Sequence, residues 1–317
     1  MKLDARRFVG KFKPKGIGAH SRRIFRRTRP APTMRWRRGP APPGTIFARV
    51  NSLEARLART PLEVRYAQKL RYHVFYEEMS AIPNAKARLA RRDADPFDVF
   101  CDHLLVLDHA VQQARKLARW RSNPRVVGTY RLLRQNVAAR HGGFYTQSEY
   151  DIAPLIAGHR DLRFLELGRS CVLKPYRNRP TVELLWQAIW SYAKRHNVDV
   201  MIGCASLTGT DPRELALPLS FLHHFARAPE EWRARAQPSL YVDMNLMAKE
   251  EVDPKAALRA LPPLVRGYLR LGAYIGDGAV IDRQFGTTDV LIILPVPAIE
   301  KRYAAHFANY DRAFALS

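Results

Sequence analysis

The sequence predicts one α/β domain with a mixed central sheet flanked by helices, preceded by a basic, disordered arm. Three observations carry this. Strand-like and helix-like runs alternate from Thr45 onward, with no internal repeat. The consecutive strands between 101 and 134 require antiparallel pairing early, whereas later strands are separated by helices. The first 44 residues hold fourteen Lys and Arg against the single acid Asp4 and show weak apolar periodicity. The chain therefore divides into an arm at 1–44 and a domain at 45–317.

The elements follow in order. "TIFARVNSLEARLAR" alternates apolar and polar residues, as a half-exposed strand does. Thr60 is a good N-cap and Pro61 suits the first position of a helix on which Tyr66, Leu70 and Val74 recur at helical spacing. "DPFDVFCDHLLVLDHA" reads as a turn and then a strand through Leu107. "RKLARWRSNPR" is a basic hairpin-like loop and "VVGTYRLLRQ" the next strand. "FYTQSEYDIAPLIAG" is loop and short helix, and "LRFLELGRSCVL" is a strand. The helix Thr181–His196 gathers Val182, Leu185, Trp186, Ile189 and Ala193 on one face. "VDVMIGCASL" is a buried strand. Asp211-Pro212 opens a helix to about Phe225, which Pro218 is expected to kink. "PSLYVDMNLM" and "TTDVLIILPV" are late strands. Between them lies "PPLVRGYLRLGAYIGDGA", a helix followed by a Gly-rich turn. "AIEKRYAAHFANY" closes the chain as a helix.

Composition narrows the function. The net charge of +24 favours anionic partners: nucleic acid, an acidic protein or a lipid surface. The Pro-rich arm ("RPAPTMRWRRGPAPPG") cannot bury enough surface to offset ordering entropy. Its charge suits an anionic membrane surface, where each basic residue adds ~1 kcal/mol. No apolar h-region marks a secretory signal, although an Arg-rich, acid-poor arm is also the composition of a transit peptide. No apolar run is long enough to span a bilayer. Cys101, Cys171 and Cys204 have no metal-ligand spacing, so no metal site is expected and the thiols read as buried and reduced. These features together predict a cytoplasmic protein, with the arm able to hold it at the inner face of the membrane.

The stretch "FLELGRSCVLKPYRNRPTVELLWQAIW" carries the chemistry. Glu166 and Arg169 are three apart in an apolar strand, so a regular strand would send them to opposite faces. A bulge at Gly168 would bring both to one cleft; an internal ion pair is the alternative. "KPYRNRP" lies between that strand and a helix N-terminus, where free amides, the helix dipole, Arg177 and Arg179 would hold a phosphate. A solvated basic turn is the plainer reading, and no P-loop or dinucleotide fingerprint is present.

Strand, basic loop and amphipathic helix in this order resemble the acyl-donor site of the GNAT superfamily of N-acyltransferases. "LRYHVF", "DPFD", "YRLL" and "ELGR" are similar to the acyl-homoserine lactone synthase branch. "FYTQSEYDI", "GRSCVLKPYRNRPTVELLW", "GCASLTGTDP", "LSFL" and "GTTDVLIIL" resemble the L-ornithine N-acyltransferases of ornithine lipid synthesis. The likeness spans about Leu62 to Leu294 and implies a GNAT-like fold. It implies a 3-hydroxyacyl donor on acyl carrier protein, joined through 4'-phosphopantetheine with no other cofactor, and L-ornithine as acceptor. On this resemblance Arg71, Phe75, Asp95, Asp98, Arg131, Glu166 and Arg169 hold the polar-site positions. Glu166 would take the amine's proton. Asp95 and Asp98 would seat the cationic acceptor. Arg131 or Arg169 would fork its carboxylate or hold the acidic pair in place, with Arg71 beside them. Backbone amides at Cys171, Val172 and Leu173 would polarise the thioester. Arg177, Asn178 and Arg179 would take the pantetheine phosphate or acidic residues of the carrier.

Other residues read more plainly. His223 and His224 suit a helix end, Cys171 suits inert packing, and Asp277 and Asp282 suit turn hydrogen bonds. Two other functions compete. A lactone synthase expects a tryptophan shortly after "VF", and "EEMSAI" has none. A nucleic-acid-binding protein would explain the charge, but no recognition module accompanies it, so no specific nucleic-acid partner is expected.

Overall fold

The structure, a computed structural model, describes residues 45–110, 125–297 and 299. The arm at 1–44, nearly all of the basic loop at 115–125 and most of the expected last helix lie outside them.

The first run is a hairpin rather than one strand. β1 (Ile46–Val50) and β2 (Leu53–Leu57) pair antiparallel. Asn51 between them takes φ 52°, a left-handed conformation that asparagine adopts more readily than most residues. α1 (Pro61–Tyr72) begins as expected, the Thr60 side chain accepting from the Glu63 amide. It widens into a π-helix at His73–Glu78. A short helix that the sequence reading lacks, α2 (Ala85–Ala90), is capped by Asn84. A 3-10 turn at Pro96–Val99 then leads into β3 (Asp102–Asp108), which pairs antiparallel with β4 (Arg125–Arg134).

α3 (Gln135–Ala138), a 3-10 turn at Tyr145–Ser148, β5 (Tyr150–Asp151) and α4 (Ala153–Gly158) follow. Next come β6 (Phe164–Val172), α5 (Arg179–Arg195) and β7 (Val200–Thr208). α6 (Ala216–Phe225) starts later than expected, and Pro218 lies in its first turn. An amide there has no intrahelical acceptor in any case, so this proline gives no cause for a kink. Of the first expected late strand only β9 (Tyr241–Val242) pairs, after β8 (Arg235–Ala236). α7 (Pro254–Ala260) and α8 (Pro263–Leu271) precede β10 (Tyr274–Asp282) and β11 (Thr287–Pro295). β10 replaces the expected Gly-rich turn. Its glycines serve a bulge between Ile275 and Ala279, where Gly278 takes φ 82°.

Among the described residues the strands form one mixed sheet, in the order β1-β2-β3-β4-β6-β7-β11-β10-β8-β5, with β9 on β10. Successive residues of β11 alternate between two buried clusters. Val290, Ile292 and Leu294 join the one that packs α1, α5 and α8, and Leu291 and Ile293 join the other. Apolar surface on both faces is what a sheet covered on both sides requires. Among the described residues no helix is long and apolar enough to cross a membrane.

Candidate active site

The site begins where two strands part. β6 and β7 pair in parallel only at Phe164–Glu166 with Val200–Ile202. Gly203 stands at the fork, where a Cβ would come within 2.2 Å of the Leu167 carbonyl oxygen. Beyond it the strands diverge around a cavity of about 630 Å³. Gly168 to Val172 line one wall and Cys204 to Ser206 another, with Val74, Phe75 and Trp186 among the apolar residues.

The bulge in β6 is present. Arg131 of β4 faces Gly168 and Thr129 faces Cys171, so Arg169 and Ser170 together oppose Tyr130. The residue that turns is Arg169 itself, at φ 50°, and not Gly168. Its guanidinium lies over the Tyr145 and Phe285 rings, 5.2 and 5.1 Å from their centroids. Nη2 reaches Asp95 Oδ2 at 3.4 Å, while the buried Nε has no hydrogen-bond partner and stands 3.6 Å from Asp93. Glu166 also lines the cavity. Its carboxylate accepts from the Tyr145 amide (2.9 Å), the Thr146 amide (2.6 Å) and the Thr146 hydroxyl. Burial pushes its pKa up, against the pull of those donors. Glu166 therefore fastens the turn at Tyr145–Ser148, and of its roughly four acceptor positions about one, on Oε2, is left for a proton.

That turn delivers Glu149. Its carboxylate and those of Asp282 and Asp289 each offer an oxygen within 4.8 Å of the others, and all three residues line the cavity. Glu149 Oε2 and Asp289 Oδ1 are buried with no hydrogen-bond partner. Burial, and then Asp289 beside it, raise the Glu149 pKa to about 7.

A description of the acetyltransferase (GNAT) domain matches residues 70–187. Over 267 residues the chain is 51% identical to the L-ornithine N(alpha)-acyltransferase of Rhizobium meliloti, covering 84% of this chain and 88% of that one. Over 264 residues it is 52% identical to the protein of the same name in Agrobacterium fabrum, covering 83% and 88%. The chain belongs to the L-ornithine N(alpha)-acyltransferase family. Among solved structures, the N-acyl amino acid synthase FeeM from uncultured soil microbes covers 79% of this chain and 94% of its own, at 12% identity and a TM-score of 0.42.

In this acyltransferase the other predicted residues separate into two groups. Arg71, Asp95 and Asp98 do not line the cavity; they form a buried ion network behind it. Arg71 forks Asp98 at 2.8 and 2.7 Å and donates to Asp93 at 2.8 Å. Arg131 donates to Asp95 at 2.5 Å. Burial works to raise the Asp98 carboxyl, but Arg71 and Arg131 overcome it and hold it well below the usual range. Arg131 and Arg169 reach from this network into the cavity wall, so they hold the acids in place, one of the two roles foreseen for them.

The loop between β6 and α5 departs from the free amides expected there. The amides of Leu173, Tyr176, Arg177, Asn178 and Val182 all donate to backbone carbonyls. The Asn178 side chain caps α5 by accepting from the Thr181 amide. A phosphate there would meet side chains more than backbone. Cys171, Val172 and Arg177 line the cavity, and Leu173 is buried. Arg177 pairs with Glu78 at 2.5 Å, and the exposed Arg179 with Glu183 at 2.6 Å. Burial pushes the Cys171 thiol up to about 12, which makes it inert.

Glu149, Asp282 and Asp289 were not singled out for the site from the sequence. Asp282 does make the expected turn bonds, accepting from the Gln284 and Phe285 amides, but it also faces the cavity. Asp277 lies within β10, not in a turn, and pairs with Arg227 at 3.0 Å. The available signal was a lone aspartate in the apolar run "TTDVLIIL".

Proposed function

We propose that the chain moves a 3-hydroxyacyl group from the phosphopantetheine thioester of acyl carrier protein to the α-amine of L-ornithine, giving a lyso-ornithine lipid. The observation that carries this reading is a cavity with an apolar wall and a cluster of buried and half-buried carboxylates, opening where β6 and β7 part in a member of this family. An extended pantetheine arm fits between diverging strands, which offer backbone groups that a ladder would otherwise use. The Leu173 amide donates to Val127 of the neighbouring segment. Strand alternation turns the Val172 amide the other way, toward the opening, where it polarises the thioester carbonyl. The amine nitrogen attacks that carbon directly. As the carbon–sulfur bond breaks, the nitrogen gives up its second proton to become the amide and the pantetheine sulfur takes one up, so that it leaves as a thiol. The amine must lose its own proton first, to Glu166, directly or through water. With Cys171 held as a thiol, no covalent acyl-enzyme enters the route. Arg177 at the rim, with Asn178 and Arg179 at the start of α5, meets the pantetheine phosphate or the acidic face of the carrier.

The test is an acceptor panel with the purified chain and 3-hydroxyacyl carrier protein. N-acylornithine should dominate the products. Absence of any N-acylated amino acid, with carrier-protein or coenzyme A thioesters alike, would falsify the reading.

A further inference from the structure

The three clustered carboxylates that line the cavity are not accounted for by the transfer itself. Two of their oxygens, Glu149 Oε2 and Asp289 Oδ1, are buried without a partner, and Asp289 is only 7% exposed. A buried, unpaired carboxylate oxygen is costly unless a ligand supplies a donor. Each of the three residues comes from a different place: the end of the turn that Glu166 fastens, the end of β10, and the first part of β11 opposite Ser206.

We propose that Glu149, Asp282 and Asp289 form the seat for the side-chain ammonium of the acceptor, and so select a short diamino acid over neutral amino acids. This rests on the reading of the chain as an ornithine acyltransferase. A nitrogen centred on three oxygens up to 4.8 Å apart stands about 2.8 Å from each, the length of a charge-assisted N–H···O bond. An ammonium has three such protons to give. The seat suits the amine that does not react. Three carboxylates stabilise the charged form of any amine they hold, and the attacking nitrogen must be uncharged. The acceptor's carboxylate has a separate partner in the same cavity, the Arg169 guanidinium, whose Nε makes no hydrogen bond although it stands 3.6 Å from Asp93.

The experiment compares ornithine with norvaline, which has the same carbon chain without the terminal amine, using the full chain and 3-hydroxyacyl carrier protein. Wild type should prefer ornithine strongly in kcat/KM. Asp289→Asn should lower that preference at least tenfold, mainly by raising the ornithine KM. Asp282→Asn, at the half-buried member of the cluster, should lower it too and serves if Asp289→Asn does not fold. A wild type that prefers ornithine, with both folded variants keeping the preference, overturns the seat and leaves the acyltransferase reading standing. A wild type that acylates other amines but not ornithine removes the acceptor reading, and the seat with it. Loss of ornithine preference on chelation, restored by magnesium or calcium, makes the cluster a metal site and also overturns the proposal.

Discussion

Glu149 shows how little a residue's type says about its chemistry. A glutamate in solution is ionised well below neutral pH; here burial and the neighbouring Asp289 bring its pKa to about 7. Asp282, the Cys204 thiol and Arg169 also face it. An acid raised in this way carries its proton below the shifted value and its charge above it. If the cluster seats an ammonium, the seat gains a negative charge as pH rises through about 7. The ornithine KM should therefore fall across that window. Glu149→Gln should remove this step and leave the KM at its low-pH level. Initial rates at fixed donor concentration between pH 6 and 8.5 would check this, since about one pKa unit on each side spans the titration. A KM that stays level in wild type across that range counts against Glu149 as the group that titrates.

At the level of elements, the site depends on where a regular ladder stops. β6 carries a bulge at Arg169 on its β4 side and leaves β7 after Glu166 on the other. The left-handed turn falls on arginine, which lacks glycine's freedom, at a cost of about 1–2 kcal/mol. The ion network with Asp93 and Asp95 and the two aromatic rings hold the side chain that results. Gly203 meets a different need, since the Leu167 carbonyl occupies the place its Cβ would take. Gly203→Ala must push the two strands apart at the fork and should destabilise the protein by about 1–3 kcal/mol. Urea unfolding followed by circular dichroism would measure it. An unchanged midpoint would mean that the fork relaxes freely.

For the whole molecule, the positive charge is densest in the arm, although the rest of the chain also carries an excess of Lys and Arg. The arm at 1–44 supplies fourteen of the 53 Lys and Arg, and the product proposed for the enzyme is a lipid. An arm of this charge should hold the chain at an anionic bilayer, at ~1 kcal/mol for each basic residue near the surface. Sedimentation with phosphatidylglycerol vesicles should carry down the full chain. It should leave a chain lacking residues 1–44 in solution, and high salt should release the full chain as well. Equal sedimentation of both chains would assign membrane binding to the domain instead.

Much of this protein was legible without coordinates. Hydrophobic periodicity located most of the long strands and helices, because burial on one face or both imposes a repeat of two or 3.6. Local hydrogen bonding marked the start of α1 at Thr60 and Pro61, and the dispersed motifs identified the family. Elements of two residues such as β8 and β9 left no periodic trace, and the glycines of β10 looked like a turn because a bulge uses the same residue. Only the tertiary structure decided what each carboxylate does. Asp98 and Glu149 are both acids beside aromatic residues in the sequence, yet one is locked between arginines and the other faces an open cavity. Charge state and pairing depend on neighbours that sheet register brings together from distant parts of the chain, and no local pattern encodes that meeting.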